Sequence, residues 1–567
     1  MAISGNLTGE KIVSSYMTRR RFITRVPIVA ASLMAFPNTG FSFDNKAEKN
    51  SIIVETALGE LRGIRNRGVN IFLGVPYAGK VSGERRFKRP APLKPWTGVR
   101  DALMLGNPSI QPPNQTYGVN EPDPAEDCLY LNIWTPASDN KKRPVMFYNH
   151  GGGFSTGSGG SAYQDGANLA RLYDVVVVES NHRLGLLGCL YLEELGGEEY
   201  SGSGNMGMLD IVEALKWVNK NITGFGGDPD HVMVFGESGG GAKTSCIYAM
   251  PEAAPLFSRA SIESGPGIQM ADSETAAETA ELVLKTLNIS KKDWRKLLDV
   301  PAADLLAVQM KLPKIVSQSP SRNSKGIGRA GRGGFGPVVD GKALPCHPFD
   351  PTAPDISRNK PLMVGWNEDE AIFFAVFGGD LDALRLDSKG LERRIETRYG
   401  QHADVILDTY RKNMPGASPS DIYVAISSIV SMGLGSITIA ERKVAQKAAP
   451  AYLYNFGYKS EVKVPDTDYT FRTMHALDIP FKFNNMEPMK DGSTGMVGNR
   501  PERYRAGRNM SEMWATFART GTPAAKGQPE WPAYNLDTRP TMRIDTECKV
   551  INNRFKEEIE MWRSVMG

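Results

Sequence analysis

Residues His231 to Gly241 read HVMVFGESGGG, an apolar run of strand character that passes straight into Gly236-Glu237-Ser238-Gly239-Gly240, with a helix predicted to begin near Ala242. A serine on so sharp a strand-to-helix turn holds a strained backbone, so the residues two before and two after it must be small. Gly236 and Gly240 meet that need. The helix that follows points the positive end of its dipole at the turn, which favours negative charge developing there. Ser238 is therefore the candidate nucleophile.

Working outward, Pro144 to Tyr148 (PVMFY) and Val175 to Val178 (VVVV) are continuous apolar runs closed by polar or glycine-rich turns, the pattern of strands buried on both faces. Between Met208 and Asn221, Leu209, Val212, Leu215, Trp217 and Val218 follow helical spacing. Alternating strands and helices predict an α/β fold with a large, mostly parallel, doubly wound central sheet flanked by helices. Upstream, SIIVETALGELRGI from Ser51 and then VNIFLGVPYA predict short edge strands, followed by a Pro-rich extended stretch, RRFKRPAPLKPW. The helical stretches Asp272 to Pro313 and Leu381 to Val430 read as insertions between late strands, of which Ala451 to Phe456 (AYLYNF) is one. Length alone suggests about four domains at roughly 150 residues each, but one α/β sheet can run through a very long chain. The expectation is a single domain over 44–567.

The chain has 567 residues, 41% hydrophobic and 23% charged, which excludes a disordered or membrane-embedded protein. At its start, Thr18-Arg19-Arg20-Arg21-Phe22-Ile23 precedes the apolar run Val26 to Phe36, too short to span a hydrocarbon core of about 30 Å. This layout resembles a twin-arginine export signal. Residues 1–43 are expected to be that signal, with Met17 as an alternative start, and the remainder to be periplasmic or secreted without a membrane anchor. Lys11, Arg19, Arg20, Arg21 and Arg25 against Glu10 account for the whole net charge of +4. The rest of the chain is neutral, so no nucleic-acid partner is expected. Five cysteines without a CxxC pair indicate neither a disulfide framework nor a zinc ribbon, and no metal or cofactor is expected.

A serine hydroxyl near its free pKa needs a base within reach and an acid to orient that base. Downstream of the elbow and of any acid stand His402, in a polar helix-rich stretch, and His475, in Met474-His475-Ala476-Leu477-Asp478 before an apolar run. His475 is the better candidate. The strand PLMVGW ends at Asn367-Glu368-Asp369-Glu370, where Asp369 and Glu370 are equally good acids on this reading. The strand PVMFYN ends in His150-Gly151-Gly152-Gly153-Phe154, a glycine run whose amides can turn inward; the amides of Gly152, Gly153 and Gly239 are the expected oxyanion donors. His150 reads as the residue that fixes this loop. Sixteen of the 58 glycines fall in three windows, 151–160, 236–241 and 326–336. The third lies in the segment Ser317 to Gly336, where Arg322, Lys325, Arg329 and Arg332 form either a solvated loop or a charged rim that favours an anionic ester.

Taken together, FLGVPYA (72–78), EDCLYLN (126–132), HGGGF (150–154), NHRLGLLG (181–188), GNMGML (204–209), WVNKNITGFGGDP (217–229), FGESGGG (235–241), PVVDG (337–341) and WATFARTGTP (514–523) make the chain resemble the type-B carboxylesterase family. That lineage includes cholinesterases, bacterial para-nitrobenzyl esterases and the inactive neuroligins. The resemblance covers nearly everything after residue 50 and implies an α/β-hydrolase fold and a serine esterase acting through an acyl-enzyme intermediate. The family's acid is the glutamate of a G-x-N-x-D-E-G string, which maps onto Gly365 to Ala371 and selects Glu370. The implied triad is Ser238, Glu370 and His475, and Glu237 and Ser264 match positions that support the histidine. Cys128 normally pairs with an upstream cysteine, but the matching stretch, Asn107 to Gln111, holds Ser109, so that bridge is expected to be missing. The rival reading is a neuroligin-like binding module, which predicts a lost nucleophile or base. The expected partner is a small-molecule ester.

Overall fold

A computed structural model describes residues 50–113, 121–316, 335–488 and 494–566. Residues 1–43, where an export signal is expected, and Arg322, Lys325, Arg329 and Arg332 lie outside these described residues. The amino-terminal strands β1 (Ser51–Thr56), β2 (Gly59–Asn66) and β3 (Val69–Pro76) form an antiparallel edge, with the short β4 (Val99–Asp101) beside β2. Then come β5 (Tyr130–Thr135), β6 (Arg143–Asn149), β7 (Val176–Ser180), β8 (Gly227–Glu237) and β9 (Arg259–Glu263). Beyond a two-stranded ladder of β10 (Ala271–Asp272) and β11 (Val338–Val339), the main sheet resumes with β12 (Leu362–Asn367) and β13 (Ala451–Phe456). A small hairpin, β14 (Ser460–Lys463) and β15 (Thr470–Arg472), precedes the last two strands, β16 (Thr541–Ile544) and β17 (Lys549–Ile551).

The main sheet runs β1-β2-β3-β5-β7-β6-β8-β9-β12-β13-β16-β17, and every pairing from β7 across to β16 is parallel. Its central strands are apolar on both faces because helices cover both. Val145, Phe147, Val232, Val234 and Ile262 point into one core layer, and Met146, Tyr148, Met233, Phe235 and Tyr454 into the other. This is the period-2 alternation of a strand with no solvent face. Helix α1 (Met206–Asn221) lies on the first face, where Leu209, Val212, Leu215, Trp217 and Val218 all reach the core. The NHRLGLLG string after β7 is tied to α1 by Arg183, which donates from Nε and Nη2 to the two oxygens of the buried Asp210 carboxylate at 2.8 and 2.7 Å.

The elbow helix, α2 (Gly239–Ala249), starts three residues before the predicted Ala242. Glycine is a poor helix former in isolation. Here the first turn is held by what it touches: a Cβ on Gly240 would lie 1.9 Å from Asn149 O, and one on Gly241 would lie 2.9 Å from Glu263 O. Tertiary packing overrides propensity at that point. The helices between β9 and β12, and between β12 and β13, occupy the insertions expected from sequence; among them α3 (Ala371–Phe377) follows β12 directly. After β15 come α4 (Asp478–Phe483) and α5 (Glu502–Thr520).

Candidate active site

The site is assembled at the carboxyl ends of the parallel strands, where an open α/β sheet leaves its loops free to carry chemistry. Ser238 sits between β8 and α2 with φ 58° and ψ −123°, a conformation that costs an L-residue energy and is sustained by its surroundings. Its N–H donates to Glu263 O at 2.9 Å, and a Cβ on Gly236 would meet Asn149 O at 2.5 Å. Ser238 is half-buried, while Glu237 and Gly239 on either side are fully covered.

The glycine loop after β6 lies against this turn. Gly152 and Gly153 have φ of 84° and 62°, left-handed values that favour glycine. A Cβ on Gly239 would fall 2.3 Å from Gly153 N, so the two backbones are in direct contact. The loop is fixed from below. His150 stacks on His182 with ring centroids 4.5 Å apart, its Nδ1 lies 2.9 Å from Gly151 O, and its carbonyl accepts from the buried Lys243 Nζ at 2.9 Å. Burial, with Lys243 nearby, keeps His150 well below the ordinary imidazole range.

The acid turn follows β12, and the histidine loop follows β15. His475 Nδ1 lies 2.6 Å from Glu370 Oε2, and both side chains are buried. Glu370 Oε1 accepts from Asn367 N–H at 2.7 Å. Asp369 faces elsewhere: its N–H donates to Thr473 O at 3.0 Å, and its Oδ2 accepts from Thr473 N–H at 3.3 Å. The two carboxylates that sequence left equal thus divide into one on the imidazole and one on the backbone of the neighbouring loop. His402 ends a surface turn far along the helical insertion and touches only Gln401 among the contacts described.

Glu237 joins the elbow to the histidine loop. Its Oε1 accepts from Ala476 N–H at 3.1 Å and lies 3.4 Å from His475 Nδ1. Burial pulls the imidazole toward its neutral form, but the carboxylates of Glu237 and Glu370 outweigh it and raise His475 to about 9. Burial likewise holds Glu237 above the usual carboxylate range. Ser264 has φ 45° and donates its N–H to Gly365 O at 2.8 Å; its hydroxyl is buried and meets neither His475 nor Glu370 among the described residues.

Sequence reasoning passed over several residues here. Asn367 donates from Nδ2 to Met474 O at 2.9 Å and to Asp478 Oδ1 at 3.1 Å, stitching the acid turn to the histidine loop. It stood inside the quoted acid string, without a role. Phe373 and Phe374 in α3 pack on the imidazole with centroids 5.3 and 4.9 Å away, and Phe374 and Phe377 remain 45% and 39% exposed. An exposed FFxxF run directly after an acid was the available signal.

A model described as the carboxylesterase family matches residues 50–562. The chain is 34% identical over 509 residues to the para-nitrobenzyl esterase of Bacillus subtilis (strain 168), spanning 89% of this chain and 97% of that one. It is 31% identical over 495 residues to the fumonisin B1 esterase of Sphingopyxis macrogoltabida, spanning 85% and 84%. Among solved structures, a Geobacillus stearothermophilus carboxylesterase superposes with a TM-score of 0.75 at 36% identity, covering 90% of this chain and 99% of that chain.

Proposed function

This chain belongs to the carboxylesterase family and is a carboxylic ester hydrolase, and on that premise we propose that Ser238, His475 and Glu370 carry the reaction through an acyl-enzyme intermediate. The observation that carries this reading is the 2.6 Å contact of His475 Nδ1 with Glu370, in a loop fastened to the nucleophile elbow through Glu237. Ser238 Oγ attacks the ester carbonyl while His475 Nε2 takes its proton and passes it to the leaving alcohol. Water then cleaves the acyl-enzyme with the same base. Glu370 holds the tautomer that leaves Nε2 facing the serine. The amides of Gly152, Gly153 and Gly239 hold the oxyanion, each donor being worth about 10²- to 10³-fold in rate. Glu237 supports the imidazole by charge, and Ser264 by shaping the turn behind the elbow.

The aromatic wall of Phe373, Phe374 and Phe377 favours a bulky ester with an apolar or aryl group, in line with the para-nitrobenzyl ester named for the Bacillus relative. An added preference for an anionic ester would rest on Arg322, Lys325, Arg329 and Arg332. Neutralising those four charges tests it, by lowering turnover of carboxylate-bearing esters relative to neutral ones. Residues 1–43 act as a twin-arginine signal that delivers the folded chain to the periplasm or beyond. Changing Arg19 and Arg20 to lysine should retain the protein in the cytoplasm, and unchanged export would reject that assignment.

The direct test of the chemistry is a fluorophosphonate. Intact-mass measurement should show one adduct, mapping to Ser238, and Ser238→Ala should lose both the adduct and about 10⁴-fold or more of para-nitrophenyl ester turnover. Turnover retained in that variant would sink the triad, and absence of any adduct on the unaltered protein would favour the inactive binding module.

A further inference from the structure

Behind the triad lies a second set of buried charges for which ester hydrolysis as such has no need. Lys482, in α4, is fully buried between apolar neighbours Phe481 and Phe483. Its Nζ donates to Asp478 Oδ2 at 2.7 Å and to Glu263 Oε2. Glu263, the last residue of β9, also accepts from Trp514 Nε1 of α5 and from Ser261 Oγ at 2.8 Å. The other oxygen of Asp478 accepts from Asn367 Nδ2, and Asn367 N–H holds Glu370. A continuous buried path therefore runs from Trp514 through Glu263, Lys482, Asp478, Asn367 and Glu370 to His475.

Several elements bring charge to the region of the imidazole, while α3 brings only the rings of Phe373 and Phe374. Glu237 ends β8, Glu263 ends β9, Glu370 follows β12, Asp478 opens α4, and the buried Tyr454 hydroxyl of β13 stands in the field of all four carboxylates. Asp369, with Lys459 and Arg472 nearby, acts on the outer side of Thr473. Among the described residues, Lys482 is the one lysine or arginine paired within this cluster. Four buried carboxylates do not all stay ionised without compensation, and a buried ammonium is itself tolerated only when paired. Burial opposes its charge, but Asp478 and Glu263 outweigh that and hold Lys482 protonated.

We propose that Lys482 is a positioning residue for the catalytic base: it locks Asp478 and, through Asn367, the Glu370–His475 pair into one geometry, and its charge offsets the carboxylates around the imidazole so that His475 becomes a neutral proton acceptor at a lower pH. This rests on the reading of His475 as the base. The test is the pH dependence of kcat/KM for a para-nitrophenyl ester. Lys482→Met fills the same space without the charge; removing a cation favours the imidazolium, so the acid limb should move up by about one pH unit or more while KM on the plateau stays unchanged. Glu263→Gln removes a carboxylate on the far side of Lys482, and its limb should move down. A folded Lys482→Met protein with its limb in the wild-type position overturns the inference; should that variant fail to fold, an unmoved limb in Glu263→Gln does the same. Ser238→Ala is measured alongside. Activity surviving there strikes the triad itself, whereas an inactive Ser238→Ala with unmoved limbs strikes only the role of Lys482.

Discussion

At the scale of single residues, the site turns on how its carboxylates share their duties. Glu370 meets the imidazole and Asp369 meets the Thr473 backbone, so equal-looking neighbours should behave unequally. Glu370→Gln is expected to lower kcat by about 10³- to 10⁴-fold, because an amide can donate to Nδ1 and stabilise the wrong tautomer. Asp369→Asn should leave kcat within a few-fold, so steady-state kinetics on the two variants separates the roles. Glu237 governs protonation instead. With His475 raised to about 9, kcat/KM should climb with pH through the neutral range. Glu237→Gln removes a charge that stabilises the imidazolium, so its acid limb should shift to lower pH. The stability linkage has the opposite direction: the imidazolium pairing contributes fully below the ordinary imidazole value of 6.5 and is lost as pH rises through about 9. Sequence named the histidine from its loop context. It could not separate Asp369 from Glu370 without the family resemblance, because side-chain direction on a turn is set by what the turn packs against.

The unit that matters among the elements is the β8–α2 elbow with the glycine loop of β6 pressed on it. Its glycines were legible because a tight strand-to-helix turn excludes side chains wherever it occurs. Their partners were not. Asn149 O approaches both Gly236 and Gly240, and only strand order places β6 beside β8. Gly240→Ala would bring a Cβ to 1.9 Å from that oxygen. The expected result is destabilisation by about 3 kcal/mol or more, read as a lowered Tm or loss of soluble protein. A normally stable, fully active Gly240→Ala protein would contradict the packing described for the elbow. The same contacts explain why α2 begins at Gly239, where propensity would delay it to Ala242.

On the scale of the whole molecule, stability comes from two apolar layers on one sheet, without covalent cross-links. All five cysteines are free thiols, the Ser109 hydroxyl accepts from Leu184 N–H at 3.1 Å, and Cys346 alone is exposed. A thiol reagent should therefore label one cysteine rapidly in the native protein and five after denaturation, and added reductant should leave Tm unchanged. The sequence by itself determined the class of fold and which serine is the candidate nucleophile, because alternation of strand and helix and the steric demand of the elbow are local properties written in consecutive residues. It also showed that the net charge belongs to the first 43 residues. Tertiary structure separated the two carboxylates that the residues by themselves left equal, and it alone decided how Asn367 links the acid turn to the histidine loop and why a lysine stands inside the apolar run IPFKF. Those pairings join residues more than a hundred positions apart, and their strength depends on burial and distance, which no stretch of neighbouring residues records.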